Sequence, residues 1–232
     1  MQRRCKMHFS IDLWMQKYQK TVESRFKGRI WFIGLQGSYG RGEATQQSDI
    51  DVVLILDQIS AEDLQTYSSL LDTLPERDKV CGFVSGKEEL LAWEPSDLFQ
   101  LYYDTTPLVG SLDILLKRIK REDIRRAIRM GACNVYHMCV HNLVHEKSAE
   151  IIKGLYKSAA FTLQATAFFQ TGTYAKQKAA LKAYLRPEDR RILETGIELK
   201  GKETFSNKEL ADLSTLLLNW ASKWIRRCRE DT

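Results

Sequence analysis

The chain has 232 residues, of which 44% are hydrophobic and 28% are charged, and its formal net charge is +5 at pH 7. This composition is typical of a globular protein and argues against disorder over most of the chain. The sequence has no apolar run near the roughly 20 residues that a membrane-spanning helix needs, so we expect no membrane partner. Because the positive charge is small and dispersed, a nucleic-acid partner is disfavoured.

The start of the chain and its cysteines favour a cytoplasmic location. The first ten residues are basic but lack the apolar stretch of a signal peptide, and an amphipathic helix is predicted from Ile11 onwards. The five cysteines are scattered, with no Cys-x-x-Cys pair. This pattern is typical of free thiols in a reducing compartment.

Helices and strands are mixed in the first half of the chain, and the second half is helical. The pattern predicts helices over 11–26, 61–74 and 87–93, strands over 29–34, 50–56, 79–85 and 98–103, and a helix or turn opening near residue 40. Helices are expected over 114–145, 148–170, 174–185, 186–199 and 207–229. We therefore predict two domains, residues 1–112 and 113–232.

Two aspartates stand at the entrance to the predicted strand over 50–56. Asp49 and Asp51 are two residues apart, and the two-residue period of a strand points both side chains to one face. Two carboxylates this close repel each other and call for a compensating cation. Oxygen ligands of this kind suit Mg²⁺, which also shares its coordination shell with substrate phosphates.

A glycine-rich turn precedes the aspartates. Gly37-Ser38 follows the first predicted strand directly; glycine permits close backbone approach, and amides at a helix start attract anions. A phosphate-binding turn beside a carboxylate pair predicts a site for a nucleoside triphosphate. Neither Gly-x-Gly-x-x-Gly nor a P-loop fits the spacing, and the plain alternative is a glycine-rich turn with a surface Asp-x-Asp loop.

The stretch that begins at Gly37 reads G-S-x-x-R-G-E-A-x-x-x-S-D-x-D. It resembles the signature of the DNA polymerase beta-type nucleotidyltransferase superfamily, in the branch of small bacterial nucleotidyltransferase-domain proteins related to the kanamycin-type aminoglycoside nucleotidyltransferases. The resemblance implies an α+β fold, in which a small mixed sheet flanked by helices is followed by an all-helical bundle. It also implies Mg²⁺-dependent transfer of a nucleoside monophosphate from a triphosphate, with ATP the first choice, to a hydroxyl group of an aminoglycoside-like small molecule or a protein, with release of pyrophosphate.

The resemblance assigns roles to residues of the motif by position. Gly37, Ser38 and Arg41 would bind the nucleotide, while Asp49 and Asp51 would be catalytic and bind the metal. It also allows a homodimer.

Two parts of the implied site lie outside the motif. In antibiotic-modifying relatives a lysine of the helical domain contacts the triphosphate, which nominates Lys157, with a solvated helix face as the alternative. The family's third carboxylate lies on a later strand, but residues 80–85 contain no acid, and Asp104 and Glu88 are the nearest candidates. Because this acid is the usual general base, its absence supports a second hypothesis, a nucleotide-binding regulatory or antitoxin-like module with little or no turnover.

A polar stripe is predicted on the first helix of the second half. Cys133, His137, His141 and His145 recur every four residues and so share one helix face. Such spacing can chelate zinc, but no second cluster supplies a further ligand. A polar seam against the catalytic domain is favoured, a substrate-contacting seam is the alternative, and the role of the stripe stays open.

Overall fold

The computed structural model describes residues 9–230. The expectations that concern the first eight residues, including Cys5, lie outside this part of the chain. Cys81, Cys133 and Cys139 are free thiols. In the part of the chain that is described, no helix combines the length and the apolar character needed to cross a membrane.

The first half of the chain alternates helices with strands, as its sequence pattern indicates. Its elements are α1 (Ile11–Phe26), β1 (Ile30–Leu35), the single turn α2 (Gly37–Gly40), β2 (Ile50–Leu56), α3 (Ala61–Leu71), β3 (Val80–Gly86), α4 (Lys87–Ala92), α5 (Pro95–Asp104) and β4 (Thr106–Val109). The second strand has the predicted bounds, and the first and third are displaced by one residue. Helices α1, α3 and α4 begin at the predicted residues, and α3 ends three residues earlier than predicted. The start of α3 is fixed by a capping box formed by Ser60 and Asp63.

The four strands form one mixed sheet in the order β3-β2-β1-β4. The pairs β1–β2 and β1–β4 are antiparallel, whereas β2 and β3 run parallel. The inner strand β2 is buried from Val52 to Leu56, which accounts for its nearly continuous apolar sequence. Helices α1 and α3 contribute to the same core, where the hydroxyls of Tyr18 and Tyr67 are 2.8 Å apart and burial raises the pKa of Tyr67 to about 12.

The predicted strand over 98–103 is wrong, because this segment is the helix α5. Its aromatic residues favour a strand by propensity, but tertiary packing overrides that preference. Phe99 is buried, with its ring centroid 5.1 Å from that of Phe168 and 5.8 Å from that of Tyr174. The fourth strand of the sheet is instead β4, which sequence analysis missed because its Pro107 and exposed residues do not show a strand pattern.

The chain divides into two compact units that do not follow the sequence order strictly. One unit holds the described residues up to Trp93 together with Asp104–Ile114, and the other holds Glu94–Tyr103 together with the described residues from Leu115 onwards. The predicted boundary at 112/113 lies two residues before the last crossing. Helix α5 belongs to the second unit except for its last residue, Asp104, whereas the predicted division places all of it in the first domain.

The second unit is helical, as predicted. Besides α5 it contains α6 (Arg121–His141), α7 (Ala149–Thr171), α8 (Lys178–Leu181), α9 (Pro187–Glu198) and α10 (Asn207–Glu230). Helix α6 starts seven residues later than predicted, and a π-helical turn, Asn142–Glu146, follows it directly. The core of this unit is formed mainly by α6, α7 and α10 with Phe99 of α5.

A buried carboxylate joins α9 to α10. Asp189 is fully buried in the first turn of α9, and its Oδ1 accepts hydrogen bonds from Trp220 Nε1 at 2.9 Å and Trp224 Nε1 at 2.8 Å. The two tryptophans are one helical turn apart, so a single oxygen can serve both. A negative charge in the first turn of a helix is also stabilised by the helix dipole.

We expect Asp189→Ala to lower the free energy of unfolding by roughly 2–4 kcal/mol, because it leaves two buried indole N–H groups unpaired. Its neighbour Glu188 forms ion pairs with Lys223 and Arg227 at the surface, and Glu188→Ala should cost less than about 1 kcal/mol. Urea unfolding of both variants measures the difference. Equal losses would show that the buried carboxylate does not join the helices.

Candidate active site

The centre of the candidate site is the contact between the carboxylate of Asp51 and the backbone of Gly37. A Cβ atom placed on Gly37 would stand 1.8 Å from Asp51 Oδ2, and Gly37 has a φ of +66°. Only glycine satisfies both conditions without displacement of the carboxylate. The site thus begins with a carboxylate packed directly on the glycine of the predicted phosphate-binding turn.

This contact follows from the pairing of β1 with β2. Leu35 pairs with Val52, and the amide of Gln36 donates to the carbonyl of Asp51 at 2.7 Å. The next residue, Gly37, is therefore held beside the Asp51 side chain. Asp51 lies in β2 and is half-buried, whereas Asp49 lies one residue before the strand and is exposed.

The turn that contains Ser38 is fixed by its own backbone. Gly40 N donates to Gln36 O at 3.0 Å, Arg41 N to Gly37 O at 3.1 Å and Glu43 N to Ser38 O at 2.8 Å. A Cβ atom on Gly40 would stand 2.7 Å from the carbonyl oxygen of Leu35, so the turn also lies close against the end of β1. Ser38 is half-buried within it.

Arg41, the residue that follows this turn, has its side chain in a buried ion pair. Its Nη1 donates to Asp104 Oδ2 at 2.7 Å, and the two side chains are only 7% and 6% exposed. Its Nε also donates to Glu43 Oε2 at 3.4 Å. Removal of one partner from such a buried pair costs ~3–5 kcal/mol, because the other charge remains without compensation. Arg41, predicted to bind the nucleotide, is thus directed to an internal carboxylate.

The structure does not assemble a third carboxylate at the aspartate pair. Across residues 9–230, no three or more His, Cys, Asp and Glu side chains come together in a way that could hold a metal ion. Asp104 is paired with Arg41, and Glu88 is exposed in the first turn of α4. Neither candidate therefore forms a three-carboxylate cluster with Asp49 and Asp51.

The strand position beside Asp51 is occupied by a thiol. In the parallel pair of β2 and β3, Asp51 is in register with Cys81, so the two side chains share one face of the sheet, on neighbouring strands that are generally about 4.8 Å apart. Cys81 is exposed. The sequence of this strand contains no acid, and it does not identify the residue that faces Asp51, because register depends on pairing that one sequence does not reveal.

The other predicted residues lie in the helical unit. Lys157 is exposed on α7, and its nucleotide-binding role stays a prediction. In the stripe, His137 and His145 are exposed, Cys133 and His141 are half-buried, and the rings of His141 and His145 lie 4.8 Å apart. None of them joins a metal-binding group of three among the residues described.

The fold and the motif define a class of domain. Residues 15–107 match the family described as "Nucleotidyltransferase domain", and this segment contains the Gly37 turn, Asp49 and Asp51. The match confirms, for this segment, the resemblance that the motif indicates.

Particular relatives are similar to parts of this chain. Two proteins of Methanocaldococcus jannaschii, each described as a "putative protein adenylyltransferase", are 32% identical over 68 residues and 40% identical over 43 residues. These matches cover 29% and 18% of this chain and 63% and 43% of the relatives. The chain therefore spans less than two thirds of the length of either curated relative.

A solved structure shares the fold. The spectinomycin adenyltransferase AAD(9) from Enterococcus faecialis, determined with ATP and spectinomycin, aligns with a TM-score of 0.59 at 14% identity. The alignment covers 92% of this chain and all of that one. It confirms the predicted fold class, a small mixed sheet with flanking helices followed by a helical region.

We expect Gly37→Ala to abolish nucleotide binding, because the added methyl group must displace the Asp51 carboxylate or open the turn. Gly28→Ala is the matched control, since nothing lies within 4 Å of a Cβ atom at that position. Calorimetric titration with ATP and Mg²⁺ measures binding, and far-UV circular dichroism measures folding. Equal nucleotide affinity in the folded Gly37→Ala protein and the control would contradict the role of this contact.

Proposed function

We propose that the protein is a Mg²⁺-dependent nucleotidyltransferase that transfers the nucleoside monophosphate of ATP to a hydroxyl group of an acceptor. The observation that carries the proposal is the packing of Asp51 on Gly37 within a nucleotidyltransferase domain. It brings a metal-ligating type of side chain and a phosphate-binding type of turn into direct contact, which is the arrangement that a metal–triphosphate complex requires.

The proposed reaction is an in-line displacement at the α-phosphorus. The acceptor oxygen forms a bond to this phosphorus as the bond to the bridging oxygen breaks, and pyrophosphate leaves. The proton of the acceptor hydroxyl passes to a base. In this proposal the amides and the hydroxyl of Gly37-Ser38 hold the triphosphate, and Lys157 adds a positive charge for it.

The donor set suits a magnesium ion. Asp49 and Asp51 supply hard carboxylate oxygens, and one of them is exposed to solvent, so water and phosphate oxygens can complete an octahedral shell. Mg²⁺, when bound, offsets the charge of the triphosphate and orients it. The two carboxylates are the residues of this chain that would hold it.

Two acceptor classes follow from the relatives. The structural neighbour is described as a spectinomycin adenyltransferase, and the sequence relatives are each described as a "putative protein adenylyltransferase". We propose a small aminoglycoside-like molecule or a protein side chain as the acceptor. Incubation with α-labelled ATP and Mg²⁺ separates the two: label in a small product with spectinomycin or an aminoglycoside, or label retained on a protein. Nucleotide binding without transfer to any acceptor would instead support the regulatory module.

We expect the double change Asp49→Asn/Asp51→Asn to remove Mg²⁺-dependent transfer by at least about a hundredfold, because the amides cannot compensate the charge of the metal. Asp57→Asn is the control, since Asp57 follows the other end of the same strand in a surface ion pair with Arg29. Product formation from labelled ATP measures the loss. Undiminished transfer by the double variant would refute the site.

We expect Cys81→Asp to bind Mg²⁺ roughly tenfold more tightly, because it places a third carboxylate in register with Asp51. Cys81→Ser, which has a similar size and no charge, should bind Mg²⁺ as the unmodified protein does. Competition of Mg²⁺ against Mn²⁺ detected by electron paramagnetic resonance measures both. An aspartate that leaves Mg²⁺ affinity unchanged would show that position 81 does not face the metal.

A further inference from the structure

The turn that contains Gly37 and Ser38 is held by side chains at both of its ends. At its first residue, the carboxylate of Asp51 lies against Gly37. Directly after its last residue, Arg41 forms the buried ion pair with Asp104. The backbone of Asp104 also approaches the turn, since its carbonyl oxygen would lie 3.8 Å from a Cβ atom on Gly40.

Burial decides what Arg41 can do. Its side chain is 7% exposed, and two of its nitrogens, Nη1 and Nε, donate to carboxylates at 2.7 Å and 3.4 Å. If a guanidinium moves away from a buried carboxylate, the negative charge of that carboxylate is left without a compensating partner, which is costly. A direct contact with a triphosphate would require that exchange, whereas an effect through the turn requires no movement.

We propose that Arg41 and Asp104 are a positioning pair, which sets the geometry of the nucleotide-binding turn without contact between Arg41 and the nucleotide. This inference rests on the proposed function. Arg41 continues the helical turn with its backbone amide on Gly37 O, so the position of its side chain fixes the orientation of the amides at residues 37–39. Asp104 acts as the anchor, because it lies where α5 ends and the chain enters β4.

The direct-contact alternative makes a different prediction. If Arg41 binds the triphosphate itself, Asp104→Asn releases its side chain and removes a nearby negative charge, so nucleotide affinity stays equal or increases. If the pair positions the turn, Asp104→Asn and Arg41→Gln disturb the same geometry. The double change Arg41→Gln/Asp104→Asn then adds nothing to either single change, because both act through one interaction.

The test is a double-mutant cycle on the full chain with the Kd for ATP in the presence of Mg²⁺ as its readout. We expect each single change, and the double change, to weaken binding roughly ten- to a hundredfold, with Arg41→Lys restoring part of the affinity. Arg77→Gln and Asp72→Asn provide the control pair, since Arg77 and Asp72 form an exposed ion pair at 2.8 Å in the same unit. Unchanged affinity in Asp104→Asn, additive losses, or a loss of thermal stability with unchanged affinity would each overturn the proposal.

Amide hydrogen exchange of residues 38–43 in the nucleotide-free protein gives an independent readout. The positioning role predicts faster exchange there in Arg41→Lys and Asp104→Glu, which keep both charges and so suit the case in which the other variants do not fold. Exchange equal to that of the control pair would overturn it. If the unmodified protein does not bind ATP with Mg²⁺, the proposed function fails, while this exchange measurement still decides whether the pair positions the turn.

Discussion

The candidate site depends on the close approach of one carboxylate to one glycine. Antiparallel pairing of β1 with β2 brings Gly37, two residues after the end of β1, beside the side chain of Asp51 in β2, and nothing larger than hydrogen fits between them. A backbone that must also adopt a positive φ leaves no substitute for glycine there. A loop connects Gly37 to Asp51 along the sequence, and the pairing of β1 with β2 brings the two residues into contact.

Much of this arrangement is readable from the sequence because local chemistry encodes it. The apolar run of β2 and the order of glycine turn and aspartates each indicate their structure without reference to distant residues. The nature of α5 is not readable in this way. Its aromatic side chains are placed by rings that lie about 70 residues further along the chain, such as Phe168, and a strand propensity cannot reveal such packing.

The partners of charged and reactive residues are the least predictable part of the site. Arg41 stands in the motif and could face a ligand or the protein, and only the position of Asp104, 63 residues away, decides between them. The position of Cys81 beside Asp51 likewise follows only from the register of β2 and β3. In both cases tertiary pairing, which the motif does not encode, determines what the side chain faces.

Helix α5 gives the chain an unusual route. The polypeptide leaves the first unit after Trp93, contributes ten residues to the second and returns at Asp104 before leaving again after Ile114. A cut at residue 112 would separate Leu98 and Phe99, both buried, from the helices whose core Phe99 shares, and would leave that core without one of its aromatic rings. Each unit is therefore built from two separate stretches of the chain. Neither unit can be inherited, exchanged or expressed as one continuous stretch of sequence without taking residues from the other.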